Sequence, residues 1–156
     1  MKSDKAKLLV EAGGAIAVLL GLVFVGLELR QNTEAVEAAT FQALTDASSN
    51  YILSIASDPE LNRIVTTGYA DPSALNEQEN ARFFMINRSY WVRMQNVYSQ
   101  WRRGTLSDGD WILYRQVICG SGEDLNSSQG LIQTFNEHRQ ILTREFSQFV
   151  ERCWGG

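Results

Sequence analysis

Apolar positions dominate the first fifth of the chain and then fall into helical spacing. From Ala12 to Leu27 there are 16 consecutive residues that are apolar or glycine, and Leu8, Leu9 and Val10 extend the run toward the N-terminus with only Glu11 between. Leu8 to Leu29 amounts to about 33 Å of helix at 1.5 Å per residue, against a bilayer hydrocarbon core of roughly 30 Å. Glu11 sits one turn from the end of this segment, where a carboxyl group reaches the headgroups or takes up a proton. No glycine or proline occurs from Glu28 to Ser57. Across that stretch Ala35, Ala39, Ala43 and Ala47 recur at i+4, with Val36, Leu44, Tyr51, Ile52 and Ile55 beside them. This is helix spacing with a small-residue stripe. It predicts that the apolar helix continues to about Ala56, with Asn32-Thr33 the place for a kink or break.

Further helices follow from their start and stop signals. Asp58-Pro59-Glu60 places a cap, a first-turn proline and an acid in order, for a helix ending near Gly68. Asp71-Pro72-Ser73 reads as a turn. Asn76, with Glu77 and Glu79 behind it, opens a long helix that runs to about Arg103 and stops at Gly104. Its apolar residues Phe83, Phe84, Tyr90, Trp91, Met94, Val97, Tyr98 and Trp101 follow the 3.6-residue period. Ser107 to Ile118 is a shorter helix with Asp108 and Asp110 in its first turn, broken by Gly120-Ser121-Gly122. Another is expected from Asn126 to about Ile141, and a last one from a Thr143 cap to Trp154-Gly155-Gly156.

The expected fold is therefore all-α: residues 1–30 form an N-terminus and transmembrane helix, and residues 31–156 a helical domain with a small bundle. Composition agrees, with 44% hydrophobic and 21% charged residues and two prolines, Pro59 and Pro72. Charge adds an orientation. Every lysine (Lys2, Lys5, Lys7) precedes the apolar run, and only Arg30 closely follows it. The positive-inside rule then puts the N-terminus in the cytoplasm and the main domain on the far side, the periplasm of a bacterial cell with two membranes. After Arg30, ten arginines stand against fifteen acids, a charge of −5. A domain of that sign lacks the basic surface that phosphate neutralisation needs, so nucleic acid is excluded as a partner. Two other readings compete for the apolar segment. A cleaved signal peptide needs a small-residue site after the run, and Glu28-Leu29-Arg30-Gln31-Asn32 is a poor one. A buried core helix of a soluble protein passes the same length test.

Within the run, Gly13, Ala17 and Gly21 form a small-xxx-small ridge, with Gly14 and Gly26 off its line. In lipid such ridges let two helix backbones approach. Continued by Ala35, Ala39, Ala43 and Ala47, the ridge points to membrane lipid and either a second copy or another membrane protein as partners.

Leu29-Arg30-Gln31-Asn32-Thr33 after an apolar helix, then Phe41-Gln42 in an Ala-rich stretch, Asp58-Pro59-Glu60-Leu61 and Ala81-Arg82-Phe83-Phe84 follow one another in order. In this the chain resembles a group of small bacterial membrane-anchored helical proteins with no assigned activity. The likeness covers most of the chain and departs after Cys119. It implies the architecture and no chemistry.

Candidate chemistry is sparse. His138 has no His or Cys at i±3 or i±4, so it lacks the ordered ligand spacing of a metal site and reads as a solvated surface histidine. Cys119 and Cys153 form no CxxC. They are either one disulfide in an oxidising compartment or two buried thiols in a reducing one. The pairs Glu34/Glu37, Glu77/Glu79, Asp108/Asp110 and Glu123/Asp124 mostly open helices, where the dipole accounts for them. Gly120-Ser121-Gly122 lacks a phosphate-loop frame. No catalytic residue, metal ligand or cofactor is assigned. The aromatic face of Phe84, Trp91, Tyr98 and Trp101 reads as bundle core. Its alternatives are a docking groove or a membrane-interface surface with Arg88, Arg93, Arg102 and Arg103. The sequence thus favours a non-enzymatic, membrane-anchored scaffold or interaction protein. The alternative is a periplasmic sensor or ligand-binding module with an internal pocket beside Trp91 and Tyr98.

Overall fold

A computed structural model describes the backbone of residues 2–120 and 129–155 and the side chains of residues 13–120 and 129–155. It is all-α, with no strand among the described residues: α1 (Lys2–Ala56), α2 (Pro59–Ala70), α3 (Glu77–Arg102), α4 (Asp108–Gly120), α5 (Gln129–His138) and α6 (Arg144–Trp154), with short 3-10 turns at Pro72–Ala74 and Arg139–Ile141. The chain divides into two compact units, Met1–Ala39 and Thr40–Gly156.

The end of α1 matches the expectation, but Asn32-Thr33 does not break it. Two local side-chain interactions span the position within the unbroken helix. Thr33 Oγ1 donates to the Leu29 carbonyl at 3.0 Å, and Arg30 pairs with Glu34 one turn on, at 2.9 Å. Neither Asn32 nor Thr33 forces a break; each only competes weakly with helical backbone bonds.

The second unit begins inside α1. Leu44 is buried, and Phe41 and Tyr51 pack against the core; steps of three and seven residues keep them on one helix face and leave Ala43 and Ala47 exposed. The caps lie where their residue types direct. Asp58 accepts from the N–H groups of Glu60 and Leu61. Asn76 and Glu79 form a reciprocal capping box at 3.0 Å each way. Ser107 accepts from Asp110 N–H at 3.1 Å, and Thr143 accepts from Phe146 N–H. The Asn76 backbone N–H, and then Arg63, hold the Glu79 carboxyl below its ordinary range. Gly104 ends α3 with φ at +73°, the left-handed conformation that favours glycine after a helix. The expected start of α5 at Asn126, Ser121 and Gly122 of the loop, and Glu123/Asp124 lie outside the described residues.

α2 ends at Ala70, close to Gly68 as expected, though Gly68 itself is not the stop. It lies inside the helix, buried, and a Cβ there would sit 2.6 Å from the Phe83 ring. The Gly130 side of α5 presses on the same spot: a Cβ on Gly130 would run into the Gly68 carbonyl. The two glycines thus let α2 and α5 meet backbone to backbone, with Phe83 filling the space at the side. A helix-interior glycine costs up to about 1 kcal/mol relative to alanine, and here close approach offsets it.

Cys119 and Cys153 are bonded, Cα to Cα 4.9 Å, joining α4 to α6. The adjacent Trp154 Nε1 donates to the Ile118 carbonyl at 3.0 Å, so the covalent link and a hydrogen bond secure the same junction.

Two outcomes follow. Gly130→Ala meets backbone rather than a flexible side chain, so its unfolding free energy in chemical denaturation falls by about 1–3 kcal/mol; an unchanged midpoint would disprove the close α2–α5 contact. Reducing the disulfide releases a loop of 34-residue separation. The loss expected from loop entropy is about 4 kcal/mol, read as a denaturation shift between oxidised and reduced protein, and no shift would show that the link does not constrain the unfolded chain.

Candidate functional site

The residues singled out for helix packing lie on open surface. In the first unit no residue from Gly13 to Leu29 is buried. Ile16, Leu20, Phe24 and Leu27 are 55–65% exposed, the values of side chains standing free on an isolated helix. A Cβ built on Gly13, Gly14, Gly21 or Gly26 meets nothing within 4 Å. Ala35, Ala39, Ala43 and Ala47 are exposed too. The helix is long and apolar enough to cross a membrane, and none of its apolar window is buried. A core helix of a soluble protein shows the opposite, because burial of that surface is what stabilises it.

The aromatic face has the other fate. Trp91 is fully buried, 5.0 Å from Phe135 and 5.8 Å from Trp154 between ring centroids. Its Nε1 donates to Thr134 Oγ1 at 3.3 Å. Tyr98 lies among Trp111, Phe146 and Phe149. Trp101, half-buried, stacks on Trp111 at 4.7 Å and donates to Asp108 Oδ1 at 2.8 Å. Phe84 is half-buried and stacks on His138 at 4.1 Å. The four residues form one seam along α3, filled by α4, α5 and α6. Side chains occupy the space beside Trp91 and Tyr98 where a ligand pocket was the alternative expectation.

His138 is not a solvated surface histidine. It is 2% exposed, its Nδ1 lies 2.6 Å from the Thr134 carbonyl, and its Nε2 is buried without a hydrogen-bond partner. Position four after Thr134 on a short helix, opposite Phe84, explains the burial: the ring packs as an aromatic, with Nδ1 turned to a carbonyl of its own helix. Its single polar tag hid this in the sequence. Among the described residues no group of His, Cys, Asp and Glu is placed to hold a metal ion, and the disulfide takes both cysteines out of any Cys–His pair.

One polar cluster escaped the sequence reading. Where the end of α1 meets α3, the Arg93 guanidinium carbon lies 4.6 Å over the Tyr51 ring and 5.7 Å from the Tyr90 ring. Arg93 Nη1 donates to Ser48 Oγ at 2.7 Å, while its Nε is buried without a hydrogen-bond partner. Burial raises the Tyr51 phenol above its ordinary range, and burial raises that of Tyr69 beside it as well, so both stay neutral and hydrogen-bearing at neutral pH. Tyr51 and Arg93 edge a groove of about 630 Å³ that α1 and α3 line within the second unit. The signal was present in outline: Ser48 and Tyr51 share one face of α1, and Tyr90 and Arg93 one face of α3.

Compared with known proteins, the chain matches no family model, no curated protein and no solved structure.

Proposed function

We propose that this chain is a non-enzymatic, membrane-anchored scaffold whose first helix binds other helices, its own copy first. The observation that carries the reading is the complete exposure of the apolar and small-residue surface from Gly13 to Leu29. Surface of that kind is stable only when lipid or another apolar surface covers it. The unfilled space over Gly13 and Gly21 supports helix–helix approach, since small-residue ridges associate through close van der Waals contact in lipid. The outward alanine stripe offers the same kind of surface beyond the bilayer.

The lysines at the start of α1, ahead of its apolar run, favour a cytoplasmic N-terminus. The Cys119–Cys153 bond favours an oxidising compartment for the bundle. Together they support a single-pass protein of the bacterial inner membrane with its helical domain in the periplasm. The packed seam at Trp91 and Tyr98 supports a scaffold over a sensor built around an internal pocket.

Mass measurement of the full chain in mild detergent tests the partner half of the proposal. The expected result is a dimer or higher oligomer that Gly21→Leu converts largely to monomer, because the leucine side chain holds two backbones apart. A protein that is monomeric at every detergent ratio, or an oligomer indifferent to Gly21→Leu, would contradict self-association through this ridge.

A further inference from the structure

We propose that the groove between the end of α1 and α3 binds a phosphate group, with Arg93 as its anchor. Four of the eleven arginines are ion-paired, and among the described arginines Arg93 alone has a buried side-chain nitrogen without a hydrogen-bond partner. Arg30, Arg63, Arg82 and Arg139 each have a carboxylate within ion-pair distance. Arg93 has none among the described residues: its partners there are one hydroxyl and two aromatic faces. In a domain of charge −5, a half-buried guanidinium with no carboxylate within ion-pair distance among the described residues is a charge in want of a counter-charge. Its cost is visible in the buried Nε without an acceptor.

The surroundings fit an anion rather than a cation or an apolar group. No Asp or Glu lines the groove, and Arg103 adds a second positive charge toward its far end. Asn96 and Ser99 supply uncharged polar groups between the two arginines, on the same face of α3. Stacking against Tyr51 and the bond to Ser48 fix the plane of the Arg93 guanidinium, and with Nε buried the two Nη groups are the donors a ligand in the groove would meet. A guanidinium edge presents two parallel N–H donors that match a pair of phosphate oxygens. Arg93 to Arg103 spans ten residues, about 15 Å of helix, so one phosphate takes Arg93 and the rest of the molecule that bears it extends toward Arg103. The carrier is either a soluble phosphate compound or a lipid headgroup. The site lies wholly within the second unit and does not depend on the anchoring role of α1.

The test uses the full chain in nonionic detergent, at constant ionic strength. Inorganic phosphate is titrated in one arm, and phosphatidylglycerol against phosphatidylcholine in mixed micelles in the other, with the thermal midpoint and tyrosine fluorescence as readouts. Saturable stabilisation by inorganic phosphate is expected if the carrier is soluble, and stabilisation by phosphatidylglycerol alone if it is a lipid. In either case Arg93→Gln weakens the midpoint concentration about tenfold or more, the usual loss for a charge-assisted pair. Arg93→Lys, which keeps the charge and loses the fork, falls between. Should Arg93→Gln unfold, Arg103→Gln with an intact helical spectrum serves instead and weakens binding several-fold. No saturable response in either arm, or equal responses in wild type and variants, would overturn the site.

Discussion

The bundle depends on the aromatic seam of α3. Trp91, Met94, Val97 and Tyr98 leave almost no surface to solvent, and the rings of Trp111, Phe135, Phe146, Phe149 and Trp154 close over Trp91 and Tyr98 from α4, α5 and α6. Burying each large side chain is worth on the order of 1.5–3 kcal/mol, and paired rings add about 0.5–1.5 kcal/mol through their edge-to-face and offset geometries. The indole N–H groups of Trp91, Trp101 and Trp154 each find an acceptor, so the polar ends of these side chains do not subtract from the gain. A domain of modest size reaches a stable core this way, and the disulfide ties α4 to α6 at one end of it.

The same accounting isolates α1. Its last turns contribute Phe41, Leu44 and Tyr51 to the core, while the apolar side chains from Gly13 to Leu29 contribute nothing to it. Two surfaces of comparable apolar character in one chain therefore have opposite fates. The difference lies in periodicity: α3 alternates apolar and polar faces and so packs on one side, whereas Ala12 to Leu27 is apolar all round. A helix apolar on every face has no polar side to give to water.

Local signals wrote most of the architecture legibly. Asp58, Asn76, Ser107 and Thr143 cap helices as their types predict, Gly104 ends α3, and the seam follows the 3.6-residue period. What escaped was tertiary. Gly68 looks like a stop signal when read along the chain, and only the arrival of Gly130 and Phe83 from distant helices turns it into a packing site. His138 carries a polar label, yet its ring stacks on Phe84, 54 positions earlier in the chain. Asn32-Thr33 resembles a break, yet both residues tolerate helical backbone and the helix runs on through them. The pairing of Tyr51 with Arg93 required knowing which faces of α1 and α3 meet, information that no single helix contains.

On the reading proposed above, the segment from Gly13 to Leu29 lies in a bilayer rather than in water. Alkaline carbonate washing of membranes from cells making the full chain tests it most directly. Carbonate strips proteins held by charge or by other proteins, and leaves those whose helices cross the hydrocarbon core. The account predicts that the chain stays with the sedimented membranes, and that replacing Leu20 and Phe24 together by arginine releases it. Recovery of the unaltered chain in the carbonate supernatant would contradict the account.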